Sequence, residues 1–316
     1  MKRLLRLLRD GRGLRHLPVV YPDRQQMSVR VLLRGAAGEL IDVTYDHVPV
    51  SLRPLVLGIR LDEVVGELAS PQLELHDAID HDRLLARIDL KPLGRVPLTS
   101  GALRLFETTR CGNWCASAPT RWTRYALAWQ HARRASARGD ALRMSASDLR
   151  CLNAYYIAPR PVYLVSVAHD DRANVFPMDL VGSVSSGEFL LALRATSPSI
   201  EIIETSRQIA MSGAPANRLA AIYALGAHHH ESSVDLSILP FVFERSELFK
   251  LPVLSGMGLV RELSVKEVHR FGSHVLFVAR IEREAGRSEE QLAHVSGMYA
   301  EHLTTQGRPM RALVAE

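Results

Sequence analysis

Cysteine is scarce. Cys111, Cys115 and Cys151 are the only three in 316 residues, an odd number too small for a disulfide framework, which fits free thiols in a reducing cytoplasm. Long apolar runs are missing as well. None approaches the roughly 20 residues that span a bilayer, and the opening MKRLLRLLRD alternates Leu with Arg where a signal peptide needs an unbroken apolar stretch. The expectation is a soluble, cytoplasmic protein with no membrane span. Glycine-rich phosphate loops are lacking too: no dinucleotide fingerprint follows a strand-like run and no Walker-type loop occurs.

What is present is a chain with 47% hydrophobic residues and a pI near 9.3, enough apolar content for a packed core. The net charge of +5 is concentrated at one end. Residues 1–40 carry nine Lys/Arg against Asp10, Asp23 and Glu39, so that segment alone is +6 and the remainder is about neutral. A charge gathered in one arm points to a solvated extension rather than a folded nucleic-acid face, and no nucleic-acid partner is expected. Within the arm, Leu4, Leu5, Leu7 and Leu8 among Arg3, Arg6 and Arg9 suggest a two-turn amphipathic helix.

From Met27 to Leu61, runs rich in Val, Leu and Ile separated by turn residues predict a β-meander. The stretch Val43–Arg60 echoes Val175–Arg194: each has a Pro-containing strand, a turn, and an apolar strand closed by Arg. An internal duplication and convergent strand chemistry explain that echo about equally. His76, Asp77, Asp80, His81 and Asp82 are metal-ligand types, but their spacing lacks helical regularity and reads as a solvated turn. A helix is expected from near Pro119, with Trp122, Tyr125 and Trp129 on one face packing against a neighbour. The three-residue gap in CGNWC departs from two-residue redox and zinc spacings. A second helix, capped by Ser145 or Ser147, ends before Pro159. We expect two domains, residues 1–150 and 151–316.

The stretch from Pro159 to Ser212 is the informative one. VYLVSV reads as a strand, HDDRAN as a turn, VFPMDLVGSVS as an irregular or edge return strand because of Pro177 and Gly182, and FLLALR as a buried strand ending at Arg194. In the following TSPSIEII, Ser197 suits a helix N-cap and Pro198 the first helical position. A helix start offers N–H groups and the positive end of a dipole to an anion. Thr196, Ser197 and Ser199 add hydroxyls, and Arg194 adds charge. That set points to a bound phosphate. His228, His229 and His230 lie in a polar loop further on, where two of them with Glu231 could meet a metal; a loop bordering the site is the plainer reading, and no metal is expected.

Six motifs, in order, resemble the flavin reductase-like family of FMN-binding split β-barrels over about residues 155–300. They are PRPVYLVSV, NVFPMD, Ser197–Pro198–Ser199, LPVLSGMGLVREL, FGSHVLFVARI and VSGMYA. The resemblance implies a mainly β fold with some α: a Greek-key split barrel preceded by an α+β extension that is either of separate origin or a degenerate second barrel. It implies FMN as cofactor, its phosphate near Arg194, Thr196, Ser197 and Ser199 and its ring along Phe176, Pro177, Met178, Asp179 and Ser183. It also implies NADH or NADPH as electron donor, a small-molecule acceptor, and a homodimer. His274 and Tyr299 match positions near the nicotinamide side; their other reading is a satisfied core histidine and a barrel-closing tyrosine. The chain departs from the family at Met178 and Asp179, where small hydroxyl or amide residues are usual, and in having the N-terminal half. The implied activity is an FMN-dependent oxidoreductase; the alternative is a non-catalytic split-barrel module that binds FMN or another planar cofactor.

Overall fold

The computed structural model describes the chain apart from residues 1–15, 23–26, 37, 63–67, 69, 81–82, 138–141, 143, 185–186, 227, 229, 238, 240, 257, 288–289 and 314–316. The expected amphipathic helix at residues 3–9 lies outside the described residues, as do His81, Asp82 and His229. The rest falls into two compact units. One comprises the described residues of 1–160 with His294–Ala312, the other Pro161–Ala293 with the residue following Ala312. No described helix is long and apolar enough to cross a membrane.

The first unit holds β1 (His16–Val20), β2 (Val29–Arg34), β3 (Leu40–Asp42), β4 (His47–Leu52), β5 (Leu55–Leu61), β6 (Gln72–Asp77), β7 (Leu84–Pro97) and β8 (Ala102–Asn113), followed by α1 (Ala118–Ala137) and α2 (Ala146–Tyr155). Strands β2 to β8 form a seven-stranded antiparallel sheet in the order β3-β2-β6-β7-β8-β5-β4. This is not the expected meander. β3 and β4 are consecutive in the chain yet occupy opposite edges, because the pairing follows burial across the whole sheet rather than neighbourhood in sequence. Ser145 caps α2 as expected, its hydroxyl accepting the Asp148 N–H at 3.0 Å.

The aromatic stripe of α1 corrects another expectation. Trp122 and Trp129 are 67% and 44% exposed, and the helix buries Arg124 and Ala128 instead. Periodicity groups residues on a face but does not say which face turns inward; here Arg124 is drawn in by Glu301, while Arg133 lies over the Trp129 ring at 4.6 Å. His76 and Asp77 end β6 rather than lie in the expected solvated turn: buried Asp77 is held by Arg308 at 2.8 Å and half-buried His76 by Glu74 at 3.0 Å. Among the described residues no group of three His, Cys, Asp or Glu is placed to hold a metal ion.

Between the units the chain passes through β9 (Arg160–Pro161) and later β19 (Leu292–Ser296). The second unit contains β10 (Tyr163–His169), β11 (Arg172–Met178), β12 (Val181–Ser183), β13 (Glu188–Arg194), α3 (Ser199–Ser206) and β14 (Gln208–Gly213). It continues through α4 (Leu219–Gly226), β15 (Phe243–Arg245), β16 (Pro252–Leu254), β17 (Leu259–Phe271) and β18 (His274–Gly286), while α5 (Gly297–Thr305) belongs to the first unit and packs on β1. Its sheet runs β11-β10-β14-β17-β18-β13-β12.

That order forces the sheet to curl. Laid flat, seven strands about 4.8 Å apart would put their edges roughly 29 Å from each other. β11 and β12 are the two edges, and only Asp179 and Leu180 separate Met178 from Val181, a link of at most about 11 Å. The sheet therefore closes on itself as a split barrel. Pro177 and Gly182 sit on these two edge strands, where a missing or weakened ladder partner costs least. The enclosed core takes Val165 and Val167 from β10, Phe189 and Leu191 from β13, Val275 and Phe277 from β18, and Ile200, Ile202 and Ile203 from α3.

The two sheets share one strand order. The hairpins β2–β3 and β4–β5, then β6, β7 and β8, stand where β10–β11 and β12–β13, then β14, β17 and β18, stand in the second unit. The echoing sequences Val43–Arg60 and Val175–Arg194 run through corresponding strands, ending on β5 and β13. The units differ in their connections. The excursion from β14 to β17 is tied down by the buried Glu262 carboxylate, which accepts the Ser246 hydroxyl and the Leu248 and Phe249 N–H groups at 2.6–2.7 Å.

Phe277 is fully buried at the centre of the second core. Phe277→Ala is expected to cost about 3–5 kcal/mol, read as a lowered urea midpoint with unchanged slope.

Candidate functional site

β13 ends at Arg194, opposite His274, the first residue of β18. The chain then turns tightly: the Ala195 N–H bonds the Ser273 carbonyl at 2.9 Å, and the Ser197 N–H bonds the Arg194 carbonyl at 2.8 Å. α3 begins at Ser199, one residue later than a Ser197 cap would place it. Pro198 precedes it with φ −63°, and no side chain caps the first turn. The Ser197 carbonyl, rather than its hydroxyl, serves the helix, accepting the Ile200 N–H at 3.2 Å. The hydroxyls of the segment are thereby released from capping.

Among the described residues, two polar groups here lack protein partners. Ser199 is 1% exposed, and its Oγ has no hydrogen-bond partner among the described residues. Arg194 is half-buried, and burial alone shifts its guanidinium, downward; among the described residues no carboxylate compensates it. An unmatched buried hydroxyl and an unmatched cation each carry a desolvation cost that an anion would relieve. The acid in the first turn of α3, Glu201, is engaged elsewhere by Arg172 at 2.8 Å, so it does not answer Arg194. Thr196 is exposed and Ser197 half-exposed beside them.

His274 is buried, with Nδ1 2.8 Å from the Ser273 hydroxyl. Burial, and secondarily the Arg194 charge, push it down to about 4. It is neutral at physiological pH. On the opposite edge, Phe176 points into the core, Met178 packs at the core's margin, and Pro177 meets Gly226 at the end of α4. Asp179 lies half-buried in the link between β11 and β12, and Ser183 ends β12 exposed. On β11, Asn174 is fully buried and donates to the His228 and Glu231 carbonyls at 3.2 Å, and His228 meets the Glu231 carboxylate at 2.8 Å. Tyr299 belongs to α5 in the other unit. Its hydroxyl donates to Ser28 Oγ at 2.8 Å, and burial raises its pKa.

The match to known proteins follows this geometry. Residues 155–302 match the family model described as flavin reductase like domain. The second half of this chain is a flavin reductase like domain. No curated protein matches the chain. Solved structures similar to it include an FMN-binding protein from Thermus thermophilus with bound 1-cyclohex-2-enone, at 25% identity and TM-score 0.37, covering 40% of this chain and 71% of that one. The NADH:FAD oxidoreductase SgcE6 of Streptomyces globisporus C-1027 is 16% identical with TM-score 0.43, covering 54% and 93%. BorF, the flavin reductase component of a bacterial two-component tryptophan halogenase, is 16% identical with TM-score 0.42, covering 53% and 99%.

Within the flavin reductase like domain, sequence reasoning singled out Arg194, Ser197, Ser199 and His274 but missed Ser273 and the Arg172–Glu201 pair. Ser273 was legible as the polar half of the Gly272–Ser273 turn, with Gly272 at φ 52°; Arg172 and Glu201 are too distant in sequence for any local pattern to join them.

Because Arg194 opposes protonation of His274, Arg194→Ala is expected to raise the His274 pKa from about 4 toward its ordinary value of 6.5, as followed by NMR titration of the imidazole. The sign for stability follows. Between about pH 6.5 and 4 the unfolded chain binds the proton and the folded one does not, so this contribution is complete above pH 6.5 and is lost as pH falls to about 4. His274→Gln is expected to flatten the denaturation midpoint over that window.

Proposed function

We propose that this chain is an FMN-dependent oxidoreductase that takes a hydride from NADH or NADPH and delivers reducing equivalents to a small-molecule acceptor, acting as a cytoplasmic homodimer. The observation that carries the reading is the uncapped start of α3, where, among the described residues, Arg194 has no compensating carboxylate and the buried Ser199 hydroxyl has no partner. These residues fit a phosphate monoester. Arg194 would supply charge and a planar donor fork, Thr196, Ser197 and Ser199 hydroxyl donors, and the first turn of α3 its N–H groups.

When bound, the flavin supplies the hydride chemistry; the protein holds and orients it and sets the surrounding electrostatics. Phe176, Pro177, Met178, Asp179 and Ser183 are proposed to run along the ring. A carboxylate at Asp179 would disfavour negative charge developing beside it. His274 is proposed as the contact for the electron donor, offering a neutral imidazole oriented by Ser273. Tyr299, whose hydroxyl is spent on Ser28, supports a structural role more than a substrate contact.

We read residues 1–150 and 151–316 as the two functional divisions, the first being a second barrel without an anion site. β5 ends at Leu61, which pairs with the first residue of β8 as Arg194, ending β13, pairs with the first residue of β18. An apolar side chain thus stands where the second unit has its cation, which supports one flavin per chain.

Purified full-length protein is expected to retain flavin, one per chain, and to lose its visible flavin absorbance under anaerobic NADH or NADPH. The double variant Arg194→Ala, Ser197→Ala should weaken FMN binding more than tenfold while circular dichroism stays native. Flavin retained but unchanged by either nicotinamide would establish the binding-module alternative; a folded double variant with full FMN affinity would refute the phosphate site.

A further inference from the structure

The chain has three tryptophans, Trp114, Trp122 and Trp129, and all three are exposed, at 48%, 67% and 44%. On average tryptophan is highly buried. Trp114 follows β8 and folds back over Gly112, where an added Cβ would come within 2.6 Å of its ring. The other two stand on α1, a helix of 20 residues.

Trp122, Ala126, Trp129 and Arg133 are spaced i, i+4, i+7 and i+11, so they share one face of α1, and all four are exposed. They form a ridge about 16 Å long. Arg133 lies over the Trp129 ring at 4.6 Å, so the cation and the indole stand together on that ridge. The opposite face carries Arg124 and Ala128, the buried side chains of the helix among the described residues. α1 thus turns its largest apolar groups to solvent, the reverse of a helix whose apolar face is satisfied by its own fold.

Charge narrows what can cover the ridge. α1 carries four Arg and neither Asp nor Glu. Arg124 is paired with Glu301, while Arg133 stands on the ridge itself. A second copy would lay this acid-free arginine helix against itself, and like charges oppose that. Single-stranded nucleic acid is held in basic grooves, whereas a helix ridge is convex. A flat anionic lipid surface answers both features: indoles settle at headgroup level, and guanidinium groups meet lipid phosphates.

We propose that the Trp122–Trp129 face of α1 docks the protein on the surface of an anionic phospholipid bilayer, with both indoles in the headgroup layer and Arg133 on lipid phosphates. The helix lies on that surface; it is not apolar enough to cross it.

The test mixes the full chain with vesicles of phosphatidylcholine and phosphatidylglycerol, and with vesicles of phosphatidylcholine alone, and reads co-sedimentation and tryptophan emission. With all three tryptophans exposed, the lipid-free protein is expected to emit as solvated indole. The anionic vesicles should carry it down and shift its emission to the blue, an effect weakened by salt; the neutral vesicles should do neither. Trp114→Phe should keep the shift. Trp122→Ala combined with Trp129→Ala should weaken binding more than about tenfold with native circular dichroism, and Arg133→Gln should weaken it about fivefold. No capture on anionic vesicles, equal capture on neutral ones, or full capture of the folded double tryptophan variant, which would assign binding to the basic residues 1–40, would each overturn the proposal. Emission that is blue without lipid and turns red on dilution would put a second copy on this face instead. Retention of a single-stranded oligonucleotide, lost in the same double variant, with no capture on vesicles would replace lipid by nucleic acid.

Discussion

Two residues, Asp179 and Leu180, set the shape of the second unit. They join strands that lie at opposite edges of a seven-stranded sheet, and a link that short leaves the sheet no choice but to wrap round. Once it wraps, the inner faces of β10, β13, β14, β17 and β18 enclose a common apolar interior, and their outer ends become turns. One of those turns, after β13, opens into α3. Ile200 and Ile203 are buried in the interior and fix the helix by its apolar face, so its first turn is held in place by packing rather than by a cap.

This division of labour explains why, among the described residues, no side chain caps that turn and the Ser199 hydroxyl has no partner. A helix that needed its own cap would have consumed Ser197. Here burial of the isoleucines stabilises α3, the Ser197 carbonyl closes the first turn, and the hydroxyls are released. Arg194 and His274 then face each other across a strand pair, each made less willing to hold a proton by burial. The corner thus holds one cation, Arg194, beside a neutral imidazole, and the proposed phosphate would meet that cation there.

How much of this could be read from residues alone depended on range. The Arg194–Ser199 segment was legible because helix starts carry local chemistry: a proline, hydroxyls and an apolar repeat within a few positions. The edge character of β11 and β12 showed through Pro177 and Gly182. Strand order did not, since β3 and β4 look like neighbours until the whole sheet is paired. The α1 stripe misled for a related reason: Trp122 and Trp129 are spaced as a buried face would be, and only the ion pair of Arg124 with Glu301, far along the chain, turns the helix the other way.

The shared strand order of the two units has a consequence for where novelty could enter such a framework. Between β6 and β7 the first unit uses 6 residues, while between β14 and β17 the second uses 45. By loop-closure entropy that lengthening costs only about 2 kcal/mol, less than one well-buried phenylalanine contributes. A connection is thus the cheapest part of the barrel to elaborate, and in the second unit the elaboration laid a helix against β11 and anchored itself on a single carboxylate, Glu262. In these two units the strand order is shared, and the connection after the third strand in sheet order, β6 or β14, differs most in length.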